Sequence, residues 1–312
     1  YLTMPGESTN PDLPVTVIGG YLGAGKTTLV NRILRRADGR RVAVLVNEFG
    51  ELPIDADLIE SRDENVINIA GGCVCCSYGS DLMAALMDLQ QLEPRPDHIL
   101  IEASDVALPE AIAQSVGLML QYIVDGVVVI ANADSVRGHG RDSYLADTIR
   151  RQLVAADIVL LNKVDLASPG KLAETAVWLG EETQGAPILE TTNADVSVTG
   201  ILGLRDSETP SGLPHASGPL HVHHHAIVVS VDRPVDPEKI AVALADVNLD
   251  LMRAKGFVTG VDGRIYAVQT VGRRRHVEAR DFNSADVGKI VCIRHRHPVD
   301  SDGVNTAVSN CG

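Results

Sequence analysis

Short apolar segments alternate with longer segments of helical periodicity along the first two-thirds of the chain. The apolar segments are rich in Val, Ile and Leu and are bounded by turn or polar residues, as strands buried on both faces of a sheet are. They comprise residues 15–19, 42–46, 66–69, 99–102, 127–131 and 158–161. Helix-like segments at 26–36, 80–90 and 142–156 lie between them. This alternation predicts an α/β fold, with a mostly parallel sheet and helices on both of its faces.

A second region of regular structure follows a break in this pattern. Ser, Thr, Gly and Pro are dense between residues 191 and 225, which is typical of a linker. Strand-like segments then return together with a helix-like segment at 237–246, and they predict a smaller α+β domain. We therefore expect a disordered N-terminal segment (1–13), a first domain (14–195), a linker with a His-rich end (196–225), a second domain (226–300) and a tail (301–312).

Glycines mark the turn after the first predicted strand. Residues 20–27 read Gly-Tyr-Leu-Gly-Ala-Gly-Lys-Thr and match the phosphate-loop pattern G-x-x-x-x-G-K-[ST], so the sheet is predicted to be that of a P-loop NTPase. Such a loop turns backbone N–H groups towards phosphate oxygens, and the helix that follows adds its dipole. Lys26 is expected to reach the β- and γ-phosphates as a catalytic residue, and Thr27 to place its hydroxyl on Mg²⁺. The predicted nucleotide contacts in the loop are Gly20, Gly23, Ala24, Gly25, Lys26, Thr27 and Thr28.

A short polar segment after the strand at 158–161 indicates which base is bound. It reads Asn162-Lys163-Val164-Asp165. The Asp165 carboxylate can accept two hydrogen bonds from guanine, whereas adenine would leave it without a partner. Asn162 is expected to tie this segment to the phosphate loop, and the stem of Lys163 to cover the base. Ligands bind at the carboxyl ends of parallel strands, so GTP is favoured over ATP. An ordinary turn with an Asp cap is the alternative.

Two glutamates are candidate catalytic residues because each lies at the end of a predicted strand or shortly after it. Glu102 ends the apolar segment 99–102, where a ligand of Mg²⁺-bound water or a water-orienting acid belongs. Glu48 follows the segment 42–46, at the same expected edge of the sheet, where it could sense the γ-phosphate. The alternatives are a solvent-facing Glu102 and a plain acidic loop around Glu48.

Three cysteines lie within four positions in residues 71–76, which read Gly-Gly-Cys-Val-Cys-Cys. Thiolates so close together repel one another unless a cation is bound, and Zn²⁺ and Co²⁺ both accept sulfur ligands. Three ligands leave the fourth tetrahedral position open, which favours metal exchange over a closed structural site. We therefore predict a transition-metal site at Cys73, Cys75 and Cys76. A redox pair and small buried thiols are the alternatives.

Composition and charge limit the partners. The 312 residues carry 27 Lys and Arg against 41 Asp and Glu, which gives a net charge of −14. An acidic chain is repelled by phosphate backbones, so we expect no nucleic-acid partner. We also expect no membrane association, because no segment approaches the roughly 20 apolar residues of a membrane span. Five cysteines, three of them clustered, favour reduced thiols and a cytoplasmic location over a disulfide scaffold.

Taken in order, these segments resemble the CobW-type metal-chaperone GTPases. The resemblance rests on the phosphate loop, Asn-Glu-Phe-Gly-Glu at 47–51, Cys-Val-Cys-Cys at 73–76, Ile-Glu-Ala-Ser at 101–104 and Asn-Lys-Val-Asp at 162–165. Arg-Ala-Lys-Gly-Phe at 253–257 resembles the signature of that family's C-terminal domain. The resemblance implies GTP-dependent handling of Zn²⁺ or Co²⁺ for a client metalloprotein or for cobalamin synthesis. It also implies that the three clustered cysteines hold the metal and that residues 20–28 hold the phosphates.

One position departs from the family's pattern. The family usually has Gly after Glu-x-Ser/Thr, where this chain has Asp105. A carboxylate turned inward would repel phosphate, so the departure bears on hydrolysis more than on nucleotide binding. The chain is accordingly expected to be a slow GTPase that delivers metal. The alternative is a GTP-binding zinc buffer or sensor with negligible turnover.

Further features of the sequence leave alternatives open. The histidines between 221 and 225 could collect metal or belong to a solvated loop. Three consecutive arginines at 273–275 are typical of a solvated face, with client docking as the alternative. A small-molecule kinase would use the same phosphate loop, but the guanine-type segment at 162–165 argues against it.

Overall fold

The computed structural model describes residues 12–37, 40–47, 66–71, 80–202, 224–280, 287–295 and 298–311. In the first domain, strands alternate with helices along the chain. The strands are β1 (Leu13–Gly19), β2 (Val42–Asn47), β3 (Val66–Gly71), β4 (His98–Glu102), β5 (Tyr122–Asn132), β6 (Ile158–Asn162) and β7 (Ile188–Thr191). The helices are α1 (Lys26–Arg35), α2 (Ser80–Gln90), α3 (Pro109–Gly117), α4 (Val136–His139), α5 (Ala146–Val154), α6 (Pro169–Glu182) and α7 (Val198–Ile201).

These seven strands form one parallel sheet in the order β3-β2-β4-β1-β5-β6-β7. Its side chains alternate between two apolar layers, so Val15 and Val17 of β1 lie in one layer and Ile18 in the other. Helices α1 and α7 contribute to the layer of Ile18, and α2, α3, α5 and α6 contribute to the opposite layer. The predicted parallel sheet with helices on both faces is confirmed, and its strands are apolar because both of their faces are buried.

One helix is shorter than its periodicity indicates. The predicted helix at 142–156 begins as α5 only at Ala146. The carboxylate of Asp142 accepts hydrogen bonds from the backbone N–H groups of Tyr144 (2.8 Å) and Leu145 (3.1 Å), which forms a turn ahead of the helix. Within the described ranges, no helix has the length and apolar character needed to cross a membrane.

The second domain is a five-stranded antiparallel sheet with two helices. Its elements are β8 (His224–Ser230), α8 (Pro237–Leu244), β9 (Arg253–Thr259), β10 (Ile265–Val271), β11 (Arg274–Arg280), β12 (Lys289–His295) and α9 (Ser301–Ser309). The strand order is β11-β10-β9-β12-β8. Helices α8 and α9 contact each other and share an apolar core with the sheet, to which Ile240, Val258 and Ile290 contribute. The smaller α+β domain expected from the sequence is therefore present.

Both domains extend beyond the expected boundaries. Strand β1 begins at Leu13, inside the expected disordered segment, and β8 begins at His224, inside the expected linker. The segment 301–312, expected to be a tail, contains α9, whose Val304 and Val308 lie in the core of the second domain. The expected linker begins at 196, yet Val196 and the α7 residue Ile201 pack in the same apolar layer as α1. In both places a few apolar residues at helical spacing pack against segments that are distant in the sequence. The Ser, Thr and Gly residues around them make the helical periodicity too weak to predict a helix.

The two domains meet at the amino ends of the parallel strands. Arg253, at the start of β9, donates to the Asp125 carboxylate in β5 at 2.8 and 3.3 Å, and both side chains are 4% exposed. Arg274 of β11 pairs with Asp157, directly before β6, at 2.5 Å. Arg274 is therefore an interface residue, which corrects the expectation of a solvated face at this position, whereas Arg275 is exposed as expected. The phosphate loop leaves the carboxyl end of β1, so it lies at the opposite end of the sheet from this contact.

Candidate nucleotide-binding site

The predicted phosphate loop connects β1 directly to α1. Two of its glycines have backbone conformations that other residues rarely adopt, with φ of 138° at Gly20 and 113° at Gly25. A Cβ at Gly20 would lie 2.2 Å from the carbonyl oxygen of Ile130, and one at Gly25 would lie 2.6 Å from the Asn162 side chain. Glycine is therefore required at both positions. The loop ends where the N–H groups of the first turn of α1 begin, which is an arrangement suited to an anion.

Lys26 is buried, and its ammonium forms an ion pair with the carboxylate of Asp105. Asp105 belongs to the turn that follows β4, and β4 lies beside β1 in the sheet. The lysine expected to bind phosphate thus has an anionic partner within the protein. The sequence singled out both residues but did not pair them, since they are 79 positions apart.

Thr27 and Glu102 meet at the carboxyl end of the sheet. The Thr27 hydroxyl donates to the Glu102 carboxylate at 2.9 Å, and Glu102 is buried. The contact follows from strand order, because Glu102 lies in register with Ile18 of β1 and Val46 of β2. A hydroxyl and a carboxylate oxygen at this distance are hard donors of the kind that Mg²⁺ prefers.

Asn162 joins the two segments predicted to contact the nucleotide. Its side-chain amide donates to the carbonyl oxygen of Ala24 in the phosphate loop at 2.8 Å, which confirms the expected tie between these segments. Its side-chain oxygen accepts from the backbone N–H of Ala194 at 2.9 Å. Asn162 is only 1% exposed, so both hydrogen bonds are shielded from water. The residue therefore sets the distance between three loops.

The remaining predicted contacts surround this core of the site. Lys163 has a left-handed backbone, with φ of 61°, and Asp165 lies exposed in the 3₁₀ turn Val164–Leu166. Thr28 is exposed in the first turn of α1, whereas Ala24 is buried and Gly23 has a positive φ of 69°. An exposed carboxylate in a turn beside the Asn162 junction is accessible to a ligand.

The loop after β7 also belongs to the site, although no motif in the sequence indicates it. Asn193 and Ala194 both have φ of 54°, and the Asp195 carboxylate accepts a hydrogen bond at 2.8 Å from Arg36, the residue directly after α1. Through Ala194 this loop contacts the Asn162 junction, so it belongs to the site. Its only signal was a Thr-Thr-Asn-Ala-Asp composition, which resembles the start of a linker.

The predicted transition-metal ligands and one predicted catalytic residue lie outside the described residues. These are Cys73, Cys75, Cys76 and Glu48, together with the first histidines of the run at 221–225. The backbone places the start of both loops: β2 ends at Asn47 and β3 at Gly71, and these two residues are in register. Among the described residues, no group of three metal-ligating side chains occurs.

Two cysteines of the second domain are buried thiols. Burial raises the pKa of Cys292 to about 12, so this thiol stays protonated near neutral pH. Burial likewise raises the pKa of Cys311, which lies just beyond α9. Neither has the character of a thiolate ligand. Cys292 lies in β12 and packs in the apolar core of the second domain.

Together, the glycine loop between β1 and α1 and the polar junction at the carboxyl ends of the parallel strands define a P-loop nucleotide-binding protein. Residues 14–190 match the CobW/HypB/UreG nucleotide-binding domain, and residues 224–311 match the cobalamin synthesis protein cobW C-terminal domain. The chain therefore belongs to the CobW/HypB/UreG family, with a CobW C-terminal domain, as the resemblance implied.

Curated relatives match over most of the chain. A protein of a Sinorhizobium species named zinc chaperone CobW is 30% identical over 305 residues, covering 84% of this chain and 86% of the relative. The zinc chaperone YjiA of Escherichia coli K12 is 31% identical over 273 residues, covering 81% of this chain and 83% of the relative. Among solved structures, the Zn(II)-bound YjiA GTPase from E. coli aligns over 97% of this chain and all of that chain, with 22% identity and a TM-score of 0.48.

Proposed function

We propose that this chain is a slow GTPase that serves as a metallochaperone in the cytoplasm. It binds Zn²⁺ or Co²⁺ at Cys73, Cys75 and Cys76 and releases the ion to a client metalloprotein. The parallel register of the sheet carries the proposal, since β1, β2, β3 and β4 all end at one edge. The cysteine segment follows β3 and the phosphate loop follows β1, so both leave the same edge of the sheet. The names of the zinc-chaperone relatives support the assignment of the metal.

Each residue of the nucleotide site has a role in this proposal. Lys26 binds the phosphates, and Glu102 orients the water that attacks the γ-phosphorus as the bond to the β-phosphate oxygen breaks. Mg²⁺, when bound, would be held by the Thr27 hydroxyl and would neutralise charge on the phosphates. Asn162 holds the loops at the spacing that lets Asp165 accept hydrogen bonds from guanine.

Metal binding and nucleotide state are coupled in the proposed cycle. The segment that follows β2, which begins at Glu48, is the part of the chain that responds to the γ-phosphate. Because β2 and β3 are neighbouring strands, a change in that segment is passed to the adjoining cysteine segment. GTP favours a tightly held ion, and hydrolysis favours its release to the client.

Metal affinity in three nucleotide states tests this coupling. We expect Zn²⁺ to bind most tightly with a non-hydrolysable GTP analogue, and more weakly with GDP or with no nucleotide. Cys75→Ala should abolish the tight site, whereas Cys311→Ala, the same change at a buried thiol of the second domain, should leave it intact. Equal Zn²⁺ affinity in all three states would end the coupling proposal. Tight binding that survives Cys75→Ala would end the assignment of the ligands.

The ion pair between Lys26 and Asp105 favours a second candidate function. A phosphate-binding lysine already engaged by a carboxylate is suited to a GTP-binding zinc buffer or sensor with negligible turnover. Steady-state phosphate release by the wild-type protein and by Glu102→Gln separates the two functions. A clear loss in the variant identifies a GTPase, and equal background rates identify the sensor.

A further inference from the structure

Asp105 presents a negative charge to the buried cation of the phosphate loop. The Lys26 side chain is 8% exposed and the Asp105 side chain is 38% exposed, so their contact lies at the boundary between protein and solvent. An ammonium in this position is stabilised by an anionic partner, since a buried cation without one is costly. The protein therefore supplies an anion at the place where the nucleotide would otherwise supply one.

A buried amide fixes the backbone beside this carboxylate. Gln152 of α5 donates from its side-chain nitrogen to the carbonyl oxygens of Asp105 and Ala107, both at 2.9 Å. Gln152 is 2% exposed, and a further turn hydrogen bond joins the Ala107 N–H to the Ser104 carbonyl at 3.0 Å. Because these hydrogen bonds fix the backbone of the turn, a displacement of the carboxylate from Lys26 requires only a rotation of the Asp105 side chain towards the solvent.

The carboxylate and a γ-phosphate compete for the same ammonium. An ammonium has three donors, so Lys26 can keep Asp105 and bind one phosphate group at once. In GDP, Lys26 meets the β-phosphate alone. In GTP, the γ-phosphate brings a further negative charge close to the Asp105 carboxylate, where the repulsion is only partly screened. GDP can therefore bind while the ion pair between Lys26 and Asp105 persists, whereas GTP has to displace the Asp105 carboxylate from Lys26.

We propose that Asp105 determines specificity between guanine nucleotides, shifting the ratio of affinities towards GDP and away from GTP. This inference rests on the proposed function, in which Lys26 binds guanine-nucleotide phosphates. Asp105 acts through Lys26 and through charge, so it is a positioning residue. Its effect is a change in the ratio of two affinities, which a merely structural residue would not produce.

Titrations with GDP and with a non-hydrolysable GTP analogue, both with Mg²⁺, test the inference. Asp105→Asn keeps the size of the side chain and removes its charge, and Asp105→Gly removes the side chain. We expect the ratio of the GTP-analogue Kd to the GDP Kd to fall about tenfold in both variants. Asp147→Asn removes one charge from an exposed ion pair on α5, so the ratio should match that of the wild type.

The outcomes separate this inference from the proposed function. An unchanged ratio in both Asp105 variants, with GDP still bound, would overturn the inference and leave the proposed function in place. Weaker binding of the GTP analogue in both variants would also overturn it, because the carboxylate would then support the triphosphate. Absence of guanine-nucleotide binding in the wild type and in every variant would refute the proposed function and the inference with it.

Discussion

The bridge made by Asn162 supports a quantitative prediction. Asn162→Ala removes the partner of the Ala24 carbonyl and the partner of the Ala194 N–H, both in a buried setting. A buried polar group left without its hydrogen-bond partner costs about 1–3 kcal/mol, so the two together predict a loss of about 2–6 kcal/mol in the free energy of unfolding. Guanine-nucleotide affinity should fall at least about tenfold as well, because the spacing between the loops is no longer fixed.

Asn132 provides a matched control on the neighbouring strand. It lies in register with Asn162, and its side-chain oxygen accepts one local hydrogen bond, from the Asp134 N–H at 3.0 Å in an exposed turn. Asn132→Ala should therefore cost about 1 kcal/mol or less. Urea unfolding of the two variants at equal protein concentration measures the difference, as a shift of the midpoint at constant m-value.

Two results would refute this reasoning. If Asn162→Ala and Asn132→Ala lowered the free energy of unfolding equally, the buried bridge would not be the stabilising feature we infer. If Asn162→Ala were strongly destabilised but bound guanine nucleotides as tightly as the wild type, the bridge would stabilise the fold without organising the site. Titration with a fluorescent guanine nucleotide, at a temperature where both variants are folded, distinguishes these cases.

Two further predictions concern the amino ends of the strands. Arg253→Met removes the guanidinium beside buried Asp125 and should lower the free energy of unfolding by about 3–5 kcal/mol. Combining Arg253→Met with Asp125→Leu should recover most of that loss, because no buried charge is then left without a partner. An unchanged unfolding midpoint in the single variant would contradict this prediction. His98 hydrogen-bonds Thr16 at 2.9 Å, and burial lowers the His98 pKa to about 4 from an ordinary value of 6.5. The pKa of His98 is lower in the folded state than in the unfolded state. The contribution of neutral His98 to the free energy of unfolding is therefore complete above pH 6.5 and decreases by on the order of 3 kcal/mol as the pH falls towards 4. The midpoint of urea unfolding should therefore fall more steeply between pH 7 and 4.5 for the wild type than for His98→Gln. The same pH dependence of the midpoint in both proteins would refute this role of His98.

Much of the candidate site follows from local rules that act within a few residues. Gly20 and Gly25 could be assigned from the sequence because their backbone conformations belong to the loop itself. The place of the loop between a strand and a helix was equally clear from the apolar pattern. Asn162 was predicted to tie two loops because its segment follows a strand, and parallel strands place their carboxyl ends at one edge.

Other features could not be predicted because they depend on which distant segments meet. The loop around Ala194 looked like the start of a linker, and its place in the site follows from the position of β7 beside β6. The segment 301–312 looked like a tail, and its helix is stabilised by contacts with α8 and the second sheet. Arg274 looked solvated, and it pairs with an aspartate of the other domain.

The amino-acid sequence alone determined the class of fold, the phosphate loop and the family, because periodicity, glycine positions and short motifs are properties of neighbouring residues. Only the tertiary structure decided that Asp105 neutralises Lys26 and that the second domain docks at the end of the sheet opposite the phosphate loop. Both results depend on strand order and on the docking of one domain against the other. Strand order and domain docking bring together side chains that are distant along the chain, and no local sequence pattern predicts such contacts.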